Sequence, residues 1–159
     1  MSFADIKPEM DINYVDILPD ASHIYEGLYQ GSFPREGKVI VRATNTIIED
    51  WSLTVSLSRL PQARSDSYIH FPFHDGQDIP NQTILKHVVN LVTETVRDGK
   101  YVLVHCDAGL NRSGLVCALT LIKLGFKPQD AVSLLRKQRC NEVLYNRVFY
   151  DYVLEQRDV

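Results

Sequence analysis

The hydrophobic rhythm of the chain changes near its midpoint. Up to about Pro80, apolar residues come in short runs separated by turn formers. Residues 23–32 (HIYEGLYQGS) set Ile24, Leu28 and Tyr29 between glycines, Leu53-Thr-Val-Ser-Leu57 alternates with a period of two, and Tyr68-Ile-His-Phe71 is a further β-rich run stopped by Pro72. These runs predict strands. Residues 37–50 admit two readings, a strand at VIV or a helical turn at TNTIIEDW. Beyond Pro80, Ile84, Val88, Leu91, Val92 and Val96 fall near helical spacing and predict a helix over 81–98, with Asn81 as its cap and Gly99 as its stop. Residues 101–105 (YVLVH) are apolar without alternation, the pattern of a strand buried on both faces. Further helices are predicted over about 113–124, 128–139 and 144–156, the last with Tyr145, Val148, Phe149 and Tyr152 on one side. Early strands, then helix–strand–helix, then helices predict an α/β fold: a single central, mostly parallel sheet covered by helices. Ligands in such sheets sit at the carboxyl ends of strands, where residues 105–112 lie.

Composition narrows the classes. A length of 159 residues suits one compact domain, and the whole chain, 1–159, is read as a single domain. Hydrophobic residues at 45% and charged ones at 23% exclude disordered and fibrous chains. Lysine and arginine (17) against aspartate and glutamate (20) leave a net charge of −3, so the broad basic field of a nucleic-acid binder is missing. Three irregularly spaced cysteines make no disulfide framework, which points to a reducing, cytoplasmic compartment. The opening MSFADIKPEMDINY carries charges where a signal peptide needs an apolar run. No stretch approaches the ~18 apolar residues of a membrane span. No membrane partner is expected, and a monomer is.

The candidate chemistry lies in His105-Cys106-Asp107-Ala108-Gly109-Leu110-Asn111-Arg112-Ser113-Gly114. The spacing Cys-x5-Arg alone arises readily by chance; its context carries the weight. A loop that leaves a buried strand and enters a helix brings the backbone N–H groups of Asp107, Ala108, Gly109, Leu110, Asn111 and Arg112 together as an anion cradle. Gly109 permits a sharp turn and a close approach to a ligand. Arg112 offers a planar fork for two oxygens of one phosphoryl group. Cys106, at the mouth of that field, would have its anion stabilised. A thiolate nucleophile facing a bound phosphate is a phosphatase design.

The segment resembles the signature H-C-x5-R-[ST] of the cysteine-dependent protein phosphatases, with the small dual-specificity branch as the nearest match. His105, Cys106, Arg112 and Ser113 fill it, and the likeness extends to IYEGLYQGS and FPFHDG, while residues 36–50 match less well and read as a local elaboration. The resemblance implies a protein tyrosine phosphatase-like fold. It also implies hydrolysis of phosphotyrosine, and of phosphoserine and phosphothreonine, in protein substrates through a cysteinyl-phosphate. By the same resemblance Asp75 is the general acid, with Asp78 as its rival, and Ser113 helps Cys106 leave. His105 fixes the loop through hydrogen bonds, and Asn111 either lines the rim or holds the loop. No metal or cofactor is expected, because Arg112 and the loop amides neutralise the phosphate.

Three other functions are weighed. A phosphoinositide phosphatase would favour lysines in the loop, where this chain has Asp107, Leu110 and Asn111. The run Gly109-Leu-Asn-Arg-Ser-Gly114 is similar to RNA 5′-triphosphatase relatives, against which stand Asp75 and the charge balance. A phosphate-reading module without turnover would lack the nucleophile, the arginine or the acid, and all three are present.

Other residues read as structural. Cys117 and Cys140 fit packing better than resolving thiols for Cys106. His70 and His74, with Pro72 between them, stand roughly 13 Å apart at strand rise, too far for a shared metal. Arg136-Lys-Gln-Arg139 reads as a solvated helix end rather than a docking patch. The glycosylation triplets at Asn81 and Asn111 are discounted, the second because it lies inside the loop.

Overall fold

The computed structural model describes residues 20–34, 38–42, 44–59 and 64–157. The expectation about the opening residues falls outside them. Among the described residues seven strands and four helices follow one another: β1 (Ala21–Tyr25), β2 (Leu28–Gly31), β3 (Val39–Ile40), β4 (Ile47–Ile48), β5 (Asp50–Ser56), β6 (Arg64–His70), α1 (Gln82–Arg97), β7 (Val102–His105), α2 (Arg112–Lys123), α3 (Pro128–Gln138) and α4 (Arg147–Glu155). Five strands form one sheet in the order β1-β2-β7-β5-β6. Only the β1–β2 pair is antiparallel, so the sheet is mostly parallel as expected.

β7 runs through the middle, hydrogen-bonded to β2 on one side and β5 on the other. All four of its residues are buried, which explains the unbroken apolar run. Val102 and Val104 enter a core shared with all four helices, while Leu103 joins Ala21, Val39 and Trp51 in a second cluster beside the β3–β4 ribbon. The sheet is thus clad by helices on one face and by that ribbon on part of the other. The ribbon settles residues 37–50 in favour of extended chain: Val39 pairs with Ile48 and Ile40 with Ile47.

Two local expectations are corrected. In α1 the buried stripe is Leu85, Val88, Val89, Val92 and Val96, the i, i+3, i+4 series. Ile84 and Leu91 fall one position off that stripe and face solvent. In β5 the alternating polar residues Thr54 and Ser56 are as buried as Leu53 and Val55. The last helix begins at Arg147 rather than near Leu144. Asn146 caps it by accepting from the N–H groups of Val148 and Phe149. Leu144 has a φ of 60°, outside the helical region, and Tyr145 is exposed while Phe149 and Val153 face the core.

α2 is the central helix. Ten of its residues, Ser113 through Ile122, are buried, and it packs against α1, α3, α4 and the sheet. It therefore starts at a fixed point just beyond the carboxyl end of β7. Residues 106–111 span that short gap.

Candidate active site

The loop is shaped from outside, by donors that take up its carbonyl oxygens. Phe33 N–H donates to Asp107 O at 3.1 Å, and Leu144 N–H to Leu110 O at 3.2 Å. The Arg139 guanidinium donates from Nε to Gly109 O at 2.7 Å and from Nη2 to Ala108 O at 3.4 Å. With the carbonyls turned outward, the loop N–H groups are left for the centre. That of Gly109 lies 3.3 Å from Cys106 Sγ. Gly109 has a φ of +72°, and a Cβ there would stand 2.7 Å from the Gly31 carbonyl and 2.5 Å from Arg139 Nη2. Both the turn and the close packing require glycine. The close approach that the Cβ position meets is to β2 and Arg139.

Cys106 follows β7 directly and is only 2% exposed. Its Sγ sits 3.4 Å from Ser113 Oγ. Arg112, the first residue of α2, donates from Nη1 to Phe73 O at 3.3 Å and pairs through Nη2 with Asp107 at 3.6 Å. Its Nε is buried with no hydrogen-bond partner among the described residues. A guanidinium donor left unpaired at the edge of an amide-lined loop is suited to an oxyanion. Asp107 also pairs with Arg59 at 3.7 Å, and Arg59 lies 4.0 Å above the ring of Phe33.

His105 is fully buried, with Nε2 2.6 Å from Ser56 Oγ and Nδ1 3.4 Å from Cys106 O. Burial pushes its pKa down from 6.5 to about 4, against the opposing effects of the Cys106 carbonyl and the Asp107 charge. It is therefore a neutral hydrogen-bonding group at pH 7. Ser56, one of the buried polar residues of β5, is the partner that alternation concealed.

Asp75 joins this site through amides. Asn111 Nδ2 donates to Asp75 Oδ2 at 3.0 Å, and Asn146 Nδ2 donates to Asp75 Oδ1 at 2.7 Å and to Gly76 O at 3.0 Å. Asn111 Oδ1 in turn accepts from Asn146 N–H at 2.9 Å. Both carboxylate oxygens are thus held, one from the loop and one from the cap of α4. Asp78 makes no hydrogen bond or ion pair to the loop among the described residues. Asn111 is 2% exposed and does the holding itself.

Sequence reasoning missed Asn146, whose capping pattern is visible in the chain but whose reach to Asp75 is not. It also missed Arg139. That residue is fully buried under the loop, with further bonds from Nη1 to Ser22 Oγ (3.2 Å) and Gln30 O (3.4 Å). The expected solvated helix end is overturned there, because the chain turns inward after α3. Arg136 likewise turns inward, donating to Val143 O at 2.9 Å and Leu144 O at 3.4 Å. Burial lowers the Arg139 pKa, with the Cys106, Cys140 and Cys117 thiols opposing. Cys117 lies deep in α2, where burial pushes its thiol up. All three cysteines are free. Among the described residues no cluster of three or more His, Cys, Asp or Glu could hold a metal, and His70 bonds to Ser58 O at 2.7 Å.

The sequence model of the dual specificity phosphatase catalytic domain matches residues 28–158. Mouse protein tyrosine phosphatase type IVA 2 is 42% identical over 73 residues, 45% of this chain and 43% of that protein. A probable dual specificity protein phosphatase of Dictyostelium discoideum is 29% identical over 128 residues, 77% of this chain and 30% of that protein. The chain thus spans less than half the length of these curated relatives. Among solved structures, human DUSP28 superposes with a TM-score of 0.66 at 21% identity, covering 84% of this chain and 95% of that one. Orf virus OH1, described as a tyrosine phosphatase, gives 0.59 at 22%, covering 87% of each. These structures share the fold, and the family match over residues 28–158 takes in β2, the segment that carries Asp75, the loop and all four helices. The chain belongs to the dual specificity phosphatase catalytic-domain family.

Proposed function

We propose that this chain is one catalytic domain that hydrolyses phosphomonoesters of proteins, phosphotyrosine together with phosphoserine and phosphothreonine, through a cysteinyl-phosphate. The observation that carries the reading is the loop closed on Cys106 Sγ, with Gly109 N–H at 3.3 Å and Ser113 Oγ at 3.4 Å, beside the unpartnered Nε of Arg112. Cys106 Sγ attacks phosphorus while Arg112 and the loop amides take the three peripheral oxygens. The ester P–O bond breaks with its electron pair on the leaving oxygen, which receives a proton from Asp75. Water then attacks the cysteinyl-phosphate, giving its proton to Asp75 and returning the P–S electron pair to sulfur. Asp107, occupied with Arg112 and Arg59, sets a negative charge where a polyphosphorylated headgroup would need a cation, which favours singly phosphorylated side chains. Three free cysteines suit a reducing, cytoplasmic compartment.

Cys106→Ser is expected to abolish turnover and keep phosphate binding, since Arg112 and the amides remain. Release of phosphate from a phosphopeptide, with calorimetric binding of orthovanadate or phosphate, checks both halves. Hydrolysis near the native rate in that variant overturns the nucleophile. A side-by-side assay of phosphopeptides, inositol phospholipids and 5′-triphosphorylated RNA settles the substrate class, with phosphopeptides expected to lead.

A further inference from the structure

We infer that Gln30 is a positioning residue for Ser113 and, through it, for the release of Cys106 from the cysteinyl-phosphate; the inference rests on the phosphatase reading above. Gln30 lies on β2, opposite Val104 of β7, and is completely buried. Its Nε2 stands 3.2 Å from Gly109 O and 3.1 Å from Ser113 Oγ. A carbonyl oxygen can only accept, so the Gly109 contact fixes which end of the amide is nitrogen. Both amide hydrogens are then committed, one to Gly109 O and one to Ser113 Oγ.

That commitment orients the hydroxyl. Ser113 Oγ receives a hydrogen bond from Gln30, which turns its own hydrogen elsewhere, and Cys106 Sγ lies 3.4 Å away. Arg139 holds both backbones of the triangle, Gln30 O from Nη1 and Gly109 O from Nε. Gln30 Oε1, by contrast, is buried with no partner among the described residues. An apolar side chain of the same size would avoid that unmet acceptor. The amide's other end explains the residue: Nε2 donates to Ser113 Oγ beside the contact that the Cys106 thiol donates there, and once sulfur carries charge instead of a proton, Ser113's own hydrogen is left to turn to it.

The consequence is specific to one half-reaction. When the cysteinyl-phosphate forms, charge leaves sulfur as the S–P bond is made. When it breaks, water's oxygen bonds to phosphorus, water's proton passes to the Asp75 carboxylate, and the P–S electron pair returns to Sγ as inorganic phosphate departs. A hydroxyl directed at sulfur stabilises the charge that arrives in this second step.

The test is Gln30→Met, which keeps the volume and removes the donor, studied by quench-flow with 32P-labelled phosphotyrosyl peptide. Formation of acid-trapped phosphocysteine should stay within about twofold of wild type, while its decay slows roughly three- to tenfold, the worth of one neutral hydrogen bond. Ser113→Ala should slow the same step, and the double variant should be no slower than Ser113→Ala alone. Gln30→Leu repeats the comparison should Gln30→Met not fold, as judged by thermal unfolding. Equal slowing of formation and decay, or a full additional loss on top of Ser113→Ala, overturns the positioning role. A wild-type protein that forms no phosphocysteine from any ester overturns the phosphatase reading itself, a result that neither variant can mimic.

Discussion

At His105 the fold keeps an imidazole out of water and thereby keeps it neutral. The unfolded ring titrates near 6.5 and the buried one near 4, so between those values the unfolded chain binds more protons. Stability contributed by this residue is present above pH 6.5 and is lost as pH falls toward 4. The shift corresponds to about 3 kcal/mol at most. Urea unfolding from pH 7.5 to 4 should therefore show a steeper loss in the native protein than in His105→Gln, which keeps a hydrogen bond to Ser56 without the titration. Identical pH slopes in the two proteins contradict this account. The chain marks His105 only by its place in the signature, and the structure shows what it bonds to. Its partner Ser56 was not legible, because burial of a polar β5 residue depends on what lies across from it.

The elements that meet at Asp75 illustrate what spacing conveys and what it omits. The helix predicted from about 144 in fact starts at Arg147, with Asn146 as its cap. The same side chain also donates to Asp75 and Gly76, so the start of α4 braces the loop that carries Asp75. Asn146→Ser keeps a good cap but is too short to reach the carboxylate, whereas Asn146→Ala loses both, at a cap cost of about 0.5–2 kcal/mol. Melting temperature should drop more in the alanine variant. Both variants should lose more rate on phosphoseryl peptide than on p-nitrophenyl phosphate, whose leaving group needs little protonation. Asp75→Asn should show that same selectivity, and its absence there would move the acid role to Asp78. The α1 stripe makes a related point. Helical periodicity located the helix, yet two of the five apolar residues chosen for its face, Ile84 and Leu91, point to solvent. A period fixes the element; only the neighbouring surface decides which apolar residues it covers.

Across the whole molecule, Arg139 ties the site to the fold. Its side chain reaches from the end of α3 to the loop carbonyls, to Ser22 on β1 and to Gln30 on β2, with all but the Ala108 contact fully buried. Arg139→Met leaves those acceptors short of donors and should cost about 3 kcal/mol. Chemical denaturation should show that loss, together with a drop in phosphate affinity as the loop loses its outer support. A variant within about 0.5 kcal/mol of native stability would mean that water replaces the guanidinium there.

The primary structure alone determined the change from early strands to later helices, the α/β class and the loop that joins β7 to α2. It did so because period, turn residues and a contiguous signature are all local along the chain. Only the tertiary structure decided that Asp75 is clamped by Asn111 and Asn146, and that Ser56 faces His105. It also decided that Gln30 bonds to Ser113 and that Arg139 lies beneath the loop. Each of these contacts joins residues far apart in the chain, brought together as the strands pair and the helices pack on the sheet. A buried polar side chain carries no mark in the sequence of the partner that satisfies it.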